Sequence, residues 1–353
     1  MRLARRVVAI QLLVITLCTA APAALALPDV TERVSVASDG SQAQNGSLSA
    51  IPYISADGRY VAFTSSAKLV PQDTNDFQDM FVKDRHTGSA TRVGTTSAGT
   101  QANSGTGGAG MTPDARYVVF ISGASDLVPG DTNANNDAFI RDLQTGQVLR
   151  ASVDSAGNQA NGSSLATSVS SDGRYVGFYS DAANLVPGDT NSAPDAFVRD
   201  IQMGSTERVN VDSAESQTCC DSLAFGIFPI LSGNGRYVAF SSAAVNLVPS
   251  DTNNAYDVFV RDRQLGTTER VSVDSLGSQA NGASSPQGAY LPSISADGRY
   301  VVFTADASNL VAQSATRFGA TAACEMPGSP PRRHEKTITI KGLTDGPTDR
   351  LTD

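Results

Sequence analysis

Ser55-Ala-Asp-Gly-Arg-Tyr-Val-Ala-Phe63 returns four more times along the chain, as Thr112–Phe120, Ser170–Phe178, Ser232–Phe240 and Ser295–Phe303. Its tyrosines, Tyr60, Tyr117, Tyr175, Tyr237 and Tyr300, are spaced 57 to 63 residues apart. In the copies that carry it, the Asp-Gly step supplies the positive φ that a tight hairpin turn needs. The β-branched and aromatic residues after it read as a strand with one hydrophobic set on each face. Self-similarity at a fixed period outranks every other sequence signal for fold.

Working outward, each copy but the last is followed by Leu-Val-Pro-x-Asp-Thr-Asn, at Leu69, Leu127, Leu185 and Leu247. Next comes Asp-x-Phe-(Val/Ile)-(Arg/Lys)-Asp, beginning at Asp79, Asp137, Asp195 and Asp257. The unit closes with Glu-Arg-Val-x-Val at Glu207–Val211 and Glu269–Val273, with looser forms near Arg92 and Arg150. In the last unit these pieces place strands at Pro292–Ser295 and Arg299–Thr304. The preceding unit supplies the third type at Asp257–Arg261 and the fourth at Glu269–Val273. Four short antiparallel strands per unit predict an all-β fold, a β-propeller of four-stranded blades. A lone blade exposes two apolar faces, and stacking blades buries them.

The count predicts about five blades, the last formed from both chain ends. Thr31-Glu-Arg-Val-Ser-Val36 matches the fourth strand of a unit with no earlier strands before it, while Pro292–Thr304 opens a unit that lacks its end. The pattern stops after Val311, so the repeat domain is expected over 27–312. The segment 313–353 is expected to be an irregular tail, or the product of a lost C-terminus. Within it Thr337–Lys341 alternates as a candidate third strand.

Residues 1–26 read as a signal peptide: Arg2, Arg5 and Arg6, then the short apolar run Val7–Leu17, then Ala24-Leu25-Ala26. The expected location is periplasmic or secreted, with no membrane span in the mature chain. Cleavage would remove three arginines and no acid, taking the net charge from −9 to −12. Such a surface repels nucleic acid.

The copies SADGRYVAF, SSDGRYVGF and SGNGRYVAF, each followed by DAFVRD or DVFVRD, resemble the WD40-like PD40 repeats of TolB-type β-propellers. The resemblance covers roughly residues 31 to 311. It implies a propeller fold. The family it resembles includes a periplasmic component of a cell-envelope complex, propeller domains attached to peptidases, and many proteins with no assigned role.

Four loops carry the candidate site: Asp73, Asn75 and Asp79; Asp131, Asn133 and Asp137; Asp189, Asn191 and Asp195; Asp251, Asn253 and Asp257. Oxygen ligands at the first, third and seventh positions of a tight loop suit a hard cation such as Ca²⁺. The competing reading is that Asp and Asn cap the loop through Asx-turns. The segments Asp39–Gly46, Asp154–Gly162 and Asp274–Gly282 lie between blades, where a protein or glycan partner could bind. Cys219-Cys220-Asp221 stands where Ala-Asn-Gly is usual, and Cys219, Cys220 and Cys324 are disulfide candidates of open connectivity. The recurring Arg-Asp of the third strand and the Arg of each turn are expected to form ion pairs.

Catalytic patterns are sparse. Of two histidines, His86 replaces the glutamine of a hairpin turn and His334 lies in the tail. Ser65-Ser-Ala-Lys68 matches Ser-x-x-Lys only formally. The function expected is an envelope binding or scaffolding module, with a glycan-active hydrolase or lyase using propeller carboxylates as the alternative.

Overall fold

The computed structural model describes residues 31–42, 52–219, 227–285 and 291–311, and the backbone of 320–325. By contact the chain divides into 1–33 and 34–353, and all the described strands belong to the second unit. The expected signal peptide, Thr337–Lys341 and His334 lie outside the described residues.

The described strands form five antiparallel sheets in chain order, the blades of a β-propeller. Blade 1 is β1 (Tyr53–Ile54), β2 (Tyr60–Ser65), β3 (Asp79–Asp84) and β4 (Ala90–Arg92). Blade 2 is β5 (Thr106–Met111), β6 (Tyr117–Ser122), β7 (Asp137–Asp142) and β8 (Val148–Arg150). Blade 3 is β9 (Ser164–Val169), β10 (Tyr175–Ser180), β11 (Asp195–Asp200) and β12 (Ser205–Arg208). Blade 4 is β13 (Ile230–Leu231), β14 (Tyr237–Ser242), β15 (Asp257–Asp262) and β16 (Thr267–Arg270). Blade 5 is β17 (Ser293–Ile294), β18 (Tyr300–Ala305) and β19 (Ala320–Glu325).

Two expectations shift. The fourth strand ends at Arg270, because beyond it Val271 N–H bonds the Val258 carbonyl and Val273 leaves to form an isolated bridge with Gln279. The fifth sheet reaches past 312: β19 pairs with β18 from Ala320↔Ala305 to Tyr300↔Glu325, inside the expected tail. Any strand that satisfies the open edge of β18 can do so, whatever its side chains, since the ladder is made by backbone. The three strands of that sheet do not include Val34–Val36. Val36 instead forms an isolated bridge with Gln42.

The core follows from strand alternation. In blade 1, Ala62 and Val82 pack toward blade 2, while Val61 and Phe63 lie on the opposite face with Val34. Four clusters each join a blade to the next, so both faces of the inner blades are buried. Phenylalanines directly opposite on the second and third strands stack, with centroids 5.4 Å apart for Phe120–Phe139 and Phe178–Phe197, and 5.8 Å for Phe240–Phe259. Among the described residues no helix is long and apolar enough to cross a membrane.

Candidate functional site

The loop between the second and third strands brings its two aspartates together, as the spacing predicts. A guanidinium lies with them. Arg150 from β8 sits 3.0 Å from Asp131 and 3.2 Å from Asp137. Arg270 is 3.4 Å from both Asp251 and Asp257, Arg208 is 3.5 Å from Asp189 and 3.0 Å from Asp195, and Arg92 is 3.3 Å from Asp73 and 3.7 Å from Asp79. A glutamine from the following inter-blade segment completes the set: Gln159 Nε2 donates to Asp131 at 2.8 Å and Asp137 at 3.1 Å, and Gln279 does the same to Asp251 and Asp257.

The asparagine oxygens turn away, while Asn253 Nδ2 reaches Asp257 at 3.3 Å. The Oδ1 atoms of Asn75, Asn133, Asn191 and Asn253 accept the N–H two residues on, as Asx-turns. The Nδ2 of Asn133, Asn191 and Asn253 donates to the carbonyl of Ala160, Thr218 and Ala280. The calcium expectation therefore gains no support from the geometry. The cation between the carboxylates is an arginine of the same blade, and one of the three expected oxygen ligands is spent on backbone. Among the described residues no group of three or more His, Cys, Asp or Glu side chains is arranged to hold a metal.

Burial dominates the electrostatics here. It raises Asp73, Asp137, Asp189 and Asp257 above the usual carboxylate range despite the arginines. Asp79 is pushed up to about 6 by burial, with Arg92 pulling the other way.

At the opposite end of blades 1 to 4 the turn arginine meets the last aspartate of the third strand, as expected. Arg59–Asp84, Arg116–Asp142, Arg174–Asp200 and Arg236–Asp262 close to 2.7, 2.9, 2.7 and 2.6 Å. Each of these arginines also lies 4.8 Å over the ring of its neighbouring tyrosine. The Arg59 hydrogen bonds hold Asp84 well below the usual range. Burial pushes Asp142, Asp200 and Asp262 up, but their arginines and the turn amides outweigh it and lower them.

Of the other strand-three cations, Arg141, Arg199 and Lys83 bond backbone carbonyls in place of the expected ion pairs. Arg141 donates to the Thr95 carbonyl and hydroxyl at 2.7 Å, and Arg199 to the Asp154 carbonyl at 2.9 Å. Arg261 bonds the Asp212 carbonyl at 3.1 Å and also pairs with Glu215. Lys83 does the same to the carbonyls of Val36 and Ala37. Each cation thus clasps the inter-blade segment that enters its own blade, while Gln101, Gln159 and Gln279 of such segments grip the aspartates of the blade before and the Gln217 side chain bonds Thr190. These segments are clamps between blades. The glutamine and the fourth-strand arginine recur at fixed places in the repeat, and that recurrence is the sequence signal that could have found them.

Cys219 corrects the sequence reading of its segment by one residue. Its N–H bonds Asn246 Oδ1 at 2.9 Å, as Asn161 N–H bonds Asn184 Oδ1 at 2.9 Å, so Cys219 stands for the asparagine and buried Thr218 for the alanine. Its thiol is half-buried and free among the described residues. Cys220 and the side chain of Cys324 lie outside the described residues. His86 keeps its place in a turn, its N–H bonding Asp84 Oδ1 like that of Gln144 on Asp142. Ser65 Oγ accepts the Ala67 N–H, while Lys68 pairs with Asp76 at the surface.

No family model matches the chain, and no curated protein matches it. Solved structures do. A protein described as a putative TolB from Agrobacterium tumefaciens is 15% identical, covering 80% of this chain and 79% of its own, with a TM-score of 0.45. An oligogalacturonate lyase in complex with manganese is 14% identical over 81% of this chain and 68% of its own, with a TM-score of 0.47. The β-propeller domain of the Trilobed protease from Pyrococcus furiosus is 11% identical over 80% and 69%, with a TM-score of 0.45. A TolB, a lyase and a protease domain thus stand side by side among the structures that this chain is similar to, and at such identities nothing of their activity transfers.

Proposed function

We propose that the chain is an exported, non-catalytic β-propeller that binds a protein or glycan partner in the cell envelope or outside the cell. One observation carries this reading: the carboxylates that recur in the repeat are each held by an arginine of their own blade, in the same way blade after blade. A general acid must reach its substrate. Asp137, Asp195 and Asp257 are 0% exposed. A catalytic centre for glycan cleavage would need two carboxylates facing a substrate. Here the repeated pairs face a guanidinium. The signal segment supports export, and the negative net charge favours neutral or cationic partners over nucleic acid.

The test uses the mature chain. Immobilised on a column, it should retain a protein or glycan from a solubilised envelope fraction, and its N-terminus recovered from the cell should lie near Leu27. Turnover of a polysaccharide by the purified chain alone would overturn the non-catalytic part of this reading.

A further inference from the structure

The junctions between blades are not equivalent. In three of them the glycine of the Gly-Arg-Tyr turn lies on the tyrosine of the preceding blade. A Cβ added to Gly173, Gly235 or Gly298 would fall 2.1, 2.3 or 2.2 Å from a ring carbon of Tyr117, Tyr175 or Tyr237. The ring occupies the place where a side chain would stand. All three glycines have positive φ, between 69° and 75°.

Blade 2 breaks the pattern. Its turn reads Thr112-Pro-Asp-Ala115-Arg116, and Ala115 keeps the left-handed conformation with φ 57°. Ala115 is buried, so its methyl takes the volume that a tyrosine ring fills at the other three junctions. Tyr60 cannot lie there. A cavity of about 500 Å³ opens between blades 1 and 2, bounded by Tyr60, Val82 and Thr91 on one side and Ala115, Leu143 and Gln144 on the other. That volume falls within the range of small-ligand pockets, about 300–1,000 Å³. A second difference adds to the first. At the junction of blades 3 and 4, Arg263 covers Tyr175 at 4.3 Å from the ring centroid. Leu143 holds the corresponding place here, one residue after the last aspartate of the third strand.

The chemistry of the walls selects the ligand. Three charged residues line the walls: Asp84 is bound by Arg59 through two hydrogen bonds, Arg116 by Asp142, and Asp114, in no ion pair among the described residues, accepts the Thr112 hydroxyl and the Arg116 N–H. The side chains of Thr91 and Gln144 make no hydrogen bond among the described residues, and they offer both donors and acceptors. Val82, Leu143 and the Tyr60 ring supply apolar surface. An anionic ligand would find no unpaired cation among these wall pairs, Asp114 offers a carboxylate acceptor to a ligand hydroxyl, and a purely apolar ligand would strand the polar groups. We propose that this crevice binds a neutral mono- or disaccharide, laid against Tyr60 and Leu143 and hydrogen-bonded by Gln144 and Thr91. This rests on the binding reading above and gives it a place and a ligand class.

The test is saturation-transfer NMR on the mature chain with glucose, galactose, N-acetylglucosamine, cellobiose, lactose and chitobiose. At least one should bind at concentrations up to about 10 mM, the weak end of useful affinity. Leu143→Arg restores the cation that covers Tyr175 in blade 3 and should weaken that sugar at least about tenfold. Ala115→Gly lets the Tyr60 ring close onto the turn and should weaken it by a similar factor, with a melting temperature at or above that of the wild type. If none of the six sugars binds, or if both variants bind as the wild type does, the crevice is not a saccharide site. Retention of an envelope partner in that event leaves the binding reading standing and removes this inference alone. Loss of both sugar binding and partner retention removes the two together.

Discussion

Blades 1 to 4 each carry the same pair of residue types at their two ends, and the two ends behave in opposite ways. At the turn end, Arg59, Arg116, Arg174 and Arg236 are partly exposed, and each meets one aspartate. There the acid is held below its ordinary range. At the loop end, Arg92, Arg150, Arg208 and Arg270 are largely buried and each meets two aspartates. There burial wins and Asp73, Asp79, Asp137, Asp189 and Asp257 are raised. Proximity of opposite charges does not by itself fix the sign of a shift. The cost of taking a carboxylate out of water decides it when two acids share one buried cation.

The largest expected effect breaks the loop end. Arg150→Met leaves Asp131 and Asp137 without their cation, and chemical denaturation should show a loss of roughly 3–5 kcal/mol at neutral pH. A loss below about 1 kcal/mol would mean that Gln159 alone satisfies the pair.

Next is the packing that separates three junctions from the fourth. Gly235→Ala puts a methyl 2.3 Å from a Tyr175 ring carbon at a φ of 69°. Overpacking and the left-handed penalty together should cost about 2–4 kcal/mol. The same measurement on Ala115→Gly should show no loss.

The pH dependence sharpens the comparison. A raised acid binds its proton more tightly when folded, so Asp79 penalises the fold above about 6. That penalty is relieved as pH falls from there toward its unfolded value of about 3.9. A lowered acid such as Asp84 stabilises the fold above its unfolded value, and that contribution is lost as pH falls through the folded one. Melting temperature should therefore rise on acidification from neutral toward about pH 4–5 and drop below that. Asp79→Asn should flatten the rising limb. A monotonic fall from neutral pH would show that the buried clusters do not hold their protons.

Smaller is the turn end. Arg174→Ala removes an ion pair whose arginine is one-third exposed, and should cost about 0–1 kcal/mol, with a comparable loss from its contact with Tyr175. Smallest is calcium. With a guanidinium between each pair of carboxylates, millimolar Ca²⁺ or a chelator should leave the melting temperature within about 1 °C of its value without either. A native-state ligand at a hundred times its Kd adds about 2.7 kcal/mol, so binding would be plain in the same scan.

Much of the fold is legible in the sequence. The stacked phenylalanines, the Asp-Gly turns and the Arg59-type ion pairs all follow from residues close in sequence or directly opposite across a hairpin. The cation at the loop end is legible only as a recurrence in the repeat, because Arg150, Asp131 and Gln159 come from separate segments and nothing local ties them. The carboxylates there are visible, and without the arginine in view they resemble a metal loop. Cys219 falls one position from its true counterpart in the repeat because residue spacing does not reveal which N–H Asn246 binds. β19 escapes the pattern because backbone pairing places no demand on composition, and Ala320–Glu325 shares no apolar pattern with the repeat.

By itself the sequence determined the unit: four short strands, their order and their turns, because hairpin pairing is local and its residue preferences are strong. Tertiary structure decided what each charge meets and how deeply it is buried. It also decided that one junction among the blades, where alanine stands for glycine, stays open. These are consequences of contact between segments far apart along the chain, and desolvation is a property of the packed volume that no stretch of sequence carries alone.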